Sequence, residues 1–217
     1  MAVQLTDASA NPISADPTQK ALRISHRPVE ALNWTNVGVV SGLLTGVAAN
    51  GPVFSMRNGG TNIWLIRRIT VGFITTTAFT AAQGLAYQIF KATGYTVADT
   101  GGTASAIFTG GGQAGQNKMR TSLTTMLTNG DLRIAAAAAL TAGTRTLDTS
   151  ALGIVGGTSS AVGSSLQPTV LLGSEPGSYP LVLVQNEGLV IQNNFLMGAV
   201  GVINLHVNVE FAEVTAY

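Results

Sequence analysis

An antiparallel β-sandwich of jelly-roll type is the fold these 217 residues predict, and three observations predict it. Apolar and polar side chains alternate with period two over several runs of strand length. Turn residues punctuate those runs, and almost no segment has the spacing of an amphipathic helix. The last third of the chain is the clearest. In 201–214, Leu205, Val207, Val209 and Phe211 share one face while Asn204, His206, Asn208 and Glu210 share the other. One dry and one wet side is the pattern of an antiparallel sheet.

Residues 1–33 read as an extended arm. Asn11-Pro12, Asp16-Pro17 and Arg27-Pro28 interrupt any helix, because each residue before proline is pushed toward extended backbone angles. A basic cluster of Lys20, Arg23, His26 and Arg27 lies in it. From 34 to 217 a single sandwich domain is expected, since one all-β domain of about 200 residues is normal. Residues 53–57 form a short strand and 62–76 (NIWLIRRITVGFITT) a longer one, rich in β-branched and aromatic residues. Strict alternation along 62–76 puts Ile63, Leu65, Arg67, Ile69, Val71 and Phe73 on one face. Trp64, Ile66, Arg68, Thr70 and Ile74 take the other. Both faces are mostly apolar, so this strand should be central and covered on both sides for part of its length. Residues 85–92 alternate again.

The middle of the chain reads as long Gly/Ser/Thr-rich loops at 99–103, 110–118 and 153–165. Between them the alanines at 135–139 favour helix by propensity alone. They follow the hairpin signal Asn129-Gly130-Asp131 and precede the alternating 141–147, so a strand is expected there. Strands at 179–185, 188–193 and 201–214 close the domain.

Composition excludes several classes of function. Only 10% of residues are charged, 11 basic against 10 acidic, for a net charge of +1. An ordinary soluble domain has about 25%. The chain must therefore present Thr, Ser, Asn and Gly to water, or cover its surface with neighbours. So small a net charge gives no steering toward nucleic acid or anionic lipid. Without cysteine there is no disulfide scaffold, thiolate metal site or cysteine nucleophile. No run of about 20 mostly apolar residues exists to span a membrane as a helix. The first 30 residues lack the apolar core of a signal peptide, so synthesis in a cytoplasm is expected.

No constellation reads as a catalytic site. Residues 110–115 match the G-x-G-x-x-G spacing of dinucleotide-binding turns, but no strand–turn–helix context surrounds them. The two histidines, His26 and His206, are too few for a histidine metal pair, and no G-x-S-x-G elbow accompanies them. Glu210 and Glu213 have opposite parity and cannot form an acid–base pair on one face. Arg67 and Arg68 also point apart, and one of them should be partnered by a carboxylate. No cofactor and no metal is expected, and the chain is not expected to be an enzyme. Any two carboxylates meeting in space could still serve glycoside hydrolysis.

The runs Pro180-Leu181-Val182-Leu183-Val184, Asn186-Glu187-Gly188-Leu189-Val190-Ile191, Gly198-Ala199-Val200-Gly201 and Val207-Asn208-Val209-Glu210-Phe211-Ala212-Glu213-Val214 resemble the closing strands of virion structural proteins of tailed bacteriophages. Residues 140–148 (LTAGTRTLD) are similar to a segment of the same group. The likeness spans roughly 130–217 and is to capsid decoration, or cement, proteins with a jelly-roll core. It implies a homotrimer on the outer surface of the capsid that clamps adjoining major capsid protein subunits, without direct contact to nucleic acid or membrane. Candidate interface residues are Lys20, Arg23, His26, Arg27, Trp34 and His206. An arm of about 30 extended residues could reach about 100 Å, at roughly 3.3 Å each. The alternative within the virion is a tail, baseplate or glycan-binding host-attachment protein.

Overall fold

A computed structural model describes residues 35–105, 117–118, 130–173 and 180–214. The chain divides into two units, Met1–Leu32 and Asn33–Tyr217, and the description is of the second. The expected arm, the G-x-G-x-x-G segment and most of the 110–118 loop lie outside the described residues. Those residues are all β, in two antiparallel sheets consistent with a sandwich.

The strands are β1 (Thr35–Val40), β2 (Pro52–Asn58), β3 (Ile63–Thr77), β4 (Gln83–Thr93), β5 (Thr103–Ala104), β6 (Asn117–Lys118), β7 (Gly130–Ile134), β8 (Thr146–Leu147), β9 (Gly153–Ser159), β10 (Ser165–Gly173), β11 (Leu181–Leu183), β12 (Glu187–Asn193) and β13 (Val202–Val214). Their pairing is nested. β1 pairs with β13, β2 with β12, β3 with β10 and β4 with β9, as in one long hairpin. Folding that hairpin over brings β13 beside β3 and β12 beside β4. Sheet 1 runs β10-β3-β13-β1-β6, with β11 also on β3. Sheet 2 runs β5-β7-β2-β12-β4-β8, with β9 also on β4.

The core fills the space between the sheets. From sheet 1 come Trp64, Ile69, Val71, Phe73, Leu205, Val207 and Val209; from sheet 2 come Phe54, Met56, Leu85, Tyr87, Ile89, Leu189 and Ile191. Phe73 and Tyr87 meet with ring centroids 6.3 Å apart, tilted by 60°. Each such large side chain, fully buried, stabilises the fold by roughly 1.5–3 kcal/mol. The dry row of β13 lies in this core and its wet row faces outward, as the alternation predicts.

Three sequence expectations are corrected. Strict alternation along β3 fails at Arg67. Arg68 pairs with Glu210 but Ile66 pairs with Phe211, so Arg67 is an extra residue, a β-bulge. Past it the parity reverses: Trp64 and Ile66 point into the main core, and Leu65 is buried as well. Consecutive burial of Trp64, Leu65 and Ile66 does agree with a central strand covered on both sides.

Second, 135–139 is neither strand nor helix. It crosses the end of the sandwich and bonds to two different partners: Ala135 N–H donates to Val53 C=O (2.8 Å), while Ala135 C=O accepts from Gly42 N–H (3.1 Å). Alanine suits a connector that fits closely beneath another loop. Third, much of the expected loop 153–165 is strand. β9 is glycine-rich because it crowds β10: a Cβ at Gly153 would lie 1.9 Å from Leu171 C=O.

Candidate functional site

His206 is the one predicted interface residue within the described part of the chain. Lys20, Arg23, His26, Arg27 and Trp34 lie outside it. His206 sits on the outer face of sheet 1, opposite Val40 on β1 and Gly72 on β3. It is half-buried, and its Nε2 is enclosed with no hydrogen-bond partner among the described residues. Its neighbour Asn204 donates to the carbonyls of Ser41 and Gly42, both at 3.1 Å, and so ties the end of β1 to β13.

The same sheet face carries a shallow polar depression of about 260 Å³, lined by Asn36, Arg68, Thr70, Pro168, Asn208 and Glu210. Register builds it: Asn36, Glu210 and Arg68 lie in one row across β1, β13 and β3. Gly38, Asn208, Thr70 and Val170 form the next row. Glu210 pairs with Arg67 at 3.4 Å, the partner expected for one of the two arginines, while Arg68 is exposed. Asn36 Oδ1 is buried without a hydrogen-bond partner among the described residues. The lining offers amide, hydroxyl, guanidinium and carboxylate groups, which suit hydrogen bonding to a polar ligand. Asn204, Asn208 and Glu210 were legible from parity as a wet face. Asn36, Arg68 and Thr70 were not, because joining them to that face needs the register of β1 and β3.

A second cluster holds loops against sheet 2. Buried Tyr95 packs where Gly188 has no side chain; a Cβ there would sit 2.8 Å from the ring and 2.2 Å from Met56 C=O. The Arg145 guanidinium lies 5.1 Å from the centroid of that ring, donates to the phenol oxygen (3.2 Å) and pairs with Asp99. Asp99 also accepts from Gly143 N–H at 2.9 Å. Arg57 bridges to Asp131 at 2.9 Å and donates to Thr96 C=O at 3.0 Å. Burial raises the Tyr95 phenol above its ordinary value, and contacts with Ser55, Arg145 and Arg57 only partly offset it. This cluster clips the segments around 95–99 and 141–147 to the sheet; its chemistry is that of a latch.

Among the described residues no three His, Cys, Asp or Glu side chains converge to hold a metal. No helix there is long and apolar enough to cross a membrane. Searches against family models, curated proteins and solved structures found no match to this chain.

Proposed function

We propose that this chain is a structural protein of a tailed-bacteriophage virion, a decoration protein that sits on the outer capsid surface and clamps adjoining major capsid subunits. The structural observation that supports this reading is the nested strand pairing. The orders β1-β13-β3-β10 and β2-β12-β4-β9 support reading the sandwich as an eight-stranded jelly roll, an architecture used by viral capsid and lectin domains. The resemblance over 130–217 and the scarcity of charge support it. Architecture alone does not assign a function, so the resemblance carries the step from fold to virion.

The mechanism is mass action. Contacts made only in the assembled shell shift the equilibrium toward that shell, by about 2.7 kcal/mol per site at 100-fold excess over Kd. Capsids stripped of this chain should melt at lower temperature than intact ones, and adding it back should restore the difference. Unchanged melting, with no binding to stripped particles, would contradict the reading.

A second reading, host attachment through glycans, is favoured by the depression on sheet 1, whose lining can bond to sugar hydroxyls. Glycan-array binding that is lost in Asn208→Ala and Arg68→Ala would support it. An array with no signal would remove it.

A further inference from the structure

Among the described residues, one end of the sandwich carries no charge. No Asp, Glu, Lys or Arg occurs in 35–56, 69–90, 134–144, 149–173 or 188–209. Each of these segments includes a turn at the same end of the molecule: 41–51, 78–82, 135–140, 160–164 and 194–201. Hydrogen bonds join these turns into one platform. Gly42 N–H donates to Ala135 C=O (3.1 Å), Gly46 N–H to Gly198 C=O (3.3 Å) and Phe79 N–H to Ser160 C=O (3.0 Å). Gln83 Oε1 accepts from Gly198 N–H at 2.8 Å. On this uncharged platform Leu43, Val162, Phe195, Leu196 and Val200 are 50–70% exposed. Both Thr35 and Val214, where the described sandwich starts and stops, lie at the opposite end, beside Phe211 and Ile63 respectively.

We infer that this uncharged end is the surface through which copies of this chain associate. Around a rotation axis each residue meets its own copy, so any charge near the axis faces a like charge at short range. A charge-free end with apolar tips meets that condition, whereas a different partner would gain from complementary charge. The area is sufficient. Four strands at about 4.8 Å and two layers about 10 Å apart, with side chains, give about 500 Å² per copy, or about 1,000 Å² in total. The bonded turns are already ordered, which lowers the entropy cost of docking. The inference is separate from the capsid reading: a chain that associates but is absent from particles would sink only the latter.

Sedimentation of the full chain up to about 100 µM should show a homo-oligomer, a trimer on the decoration reading. Leu196→Lys and Val200→Glu should each weaken association about ten-fold or more, with unchanged circular dichroism and melting. Val184→Lys, at the charged end and 46% exposed, should not. Because the chain has no cysteine, Leu196→Cys supplies a single thiol that a short bismaleimide should link between copies; Val184→Cys should stay unlinked. A monomer throughout that range, or association untouched by Leu196→Lys, would overturn the inference. So would a monomer that sediments with neutral phosphatidylcholine vesicles, which would make the platform a lipid-docking surface.

Discussion

Arg145 and Asp99 show what a single residue contributes here. Their side chains are 4% and 0% exposed, so removing one leaves the other as an uncompensated buried charge. Arg145→Ala should cost about 3–5 kcal/mol in chemical denaturation, and Asp99→Asn combined with Arg145→Met should recover part of that loss. A cost under about 1 kcal/mol would mean that water reaches the pair. Tyr95 and Tyr87 add a dependence on pH. Burial raises both phenols above their ordinary value. Above about pH 10 the folded chain therefore keeps protons that the unfolded chain releases, and stability falls as pH rises. Below that value both states hold these protons and the phenols contribute no slope. Tyrosinate absorbance should show a fraction that appears only together with unfolding. Full ionisation while the fold persists would contradict the burial of these rings.

At the scale of elements, the bulge at Arg67 decides what β3 buries. Deleting Arg67 would restore a regular ladder with β13 and leave Trp64 and Ile66 in the core, because Arg68 already faces Glu210 and Ile66 already faces Phe211. Deleting Leu65 instead would slip Trp64 to the outer face, since one residue of slip exchanges the faces. Trp64 is now almost completely buried. The Leu65 deletion should cost several kcal/mol or prevent folding, as losing one such aromatic from the core already costs about 3–5 kcal/mol. Arg67→Ala keeps the extra residue and breaks a partly exposed ion pair with Glu210, so it should cost about 1 kcal/mol or less. A Leu65 deletion as stable in urea as Arg67→Ala would refute this register. This strand also marks where sequence reading stops. Period two located β2, β3, β4, β12 and β13, because each has at least one face in the core. It missed the bulge, since an inserted residue looks like any other until the partner strand is known. β9 was missed because Gly153, Gly156 and Gly157 read as loop chemistry, although glycine is what close packing against β10 and β4 demands. The alanines of 135–139 carried no pattern, and their partners on 41–51 lie far away in sequence. The polar depression has the same origin: its residues come from four strands that only long-range pairing brings together.

At the scale of the whole molecule, low charge acquires a direction. Composition alone says that surface must be covered; the fold separates a charged end, where both described chain ends lie, from an uncharged platform. A decoration protein needs two kinds of contact, to the shell and to its own copies, and the two ends could divide that work. On the proposed decoration role, the most direct measurement is a subnanometre reconstruction of the phage particle expected to carry this chain. The account predicts the sandwich outside the shell, over a junction between capsid subunits, with the platforms of neighbouring copies meeting at a local symmetry axis. A shell without this density, or the chain placed in the tail, would contradict it.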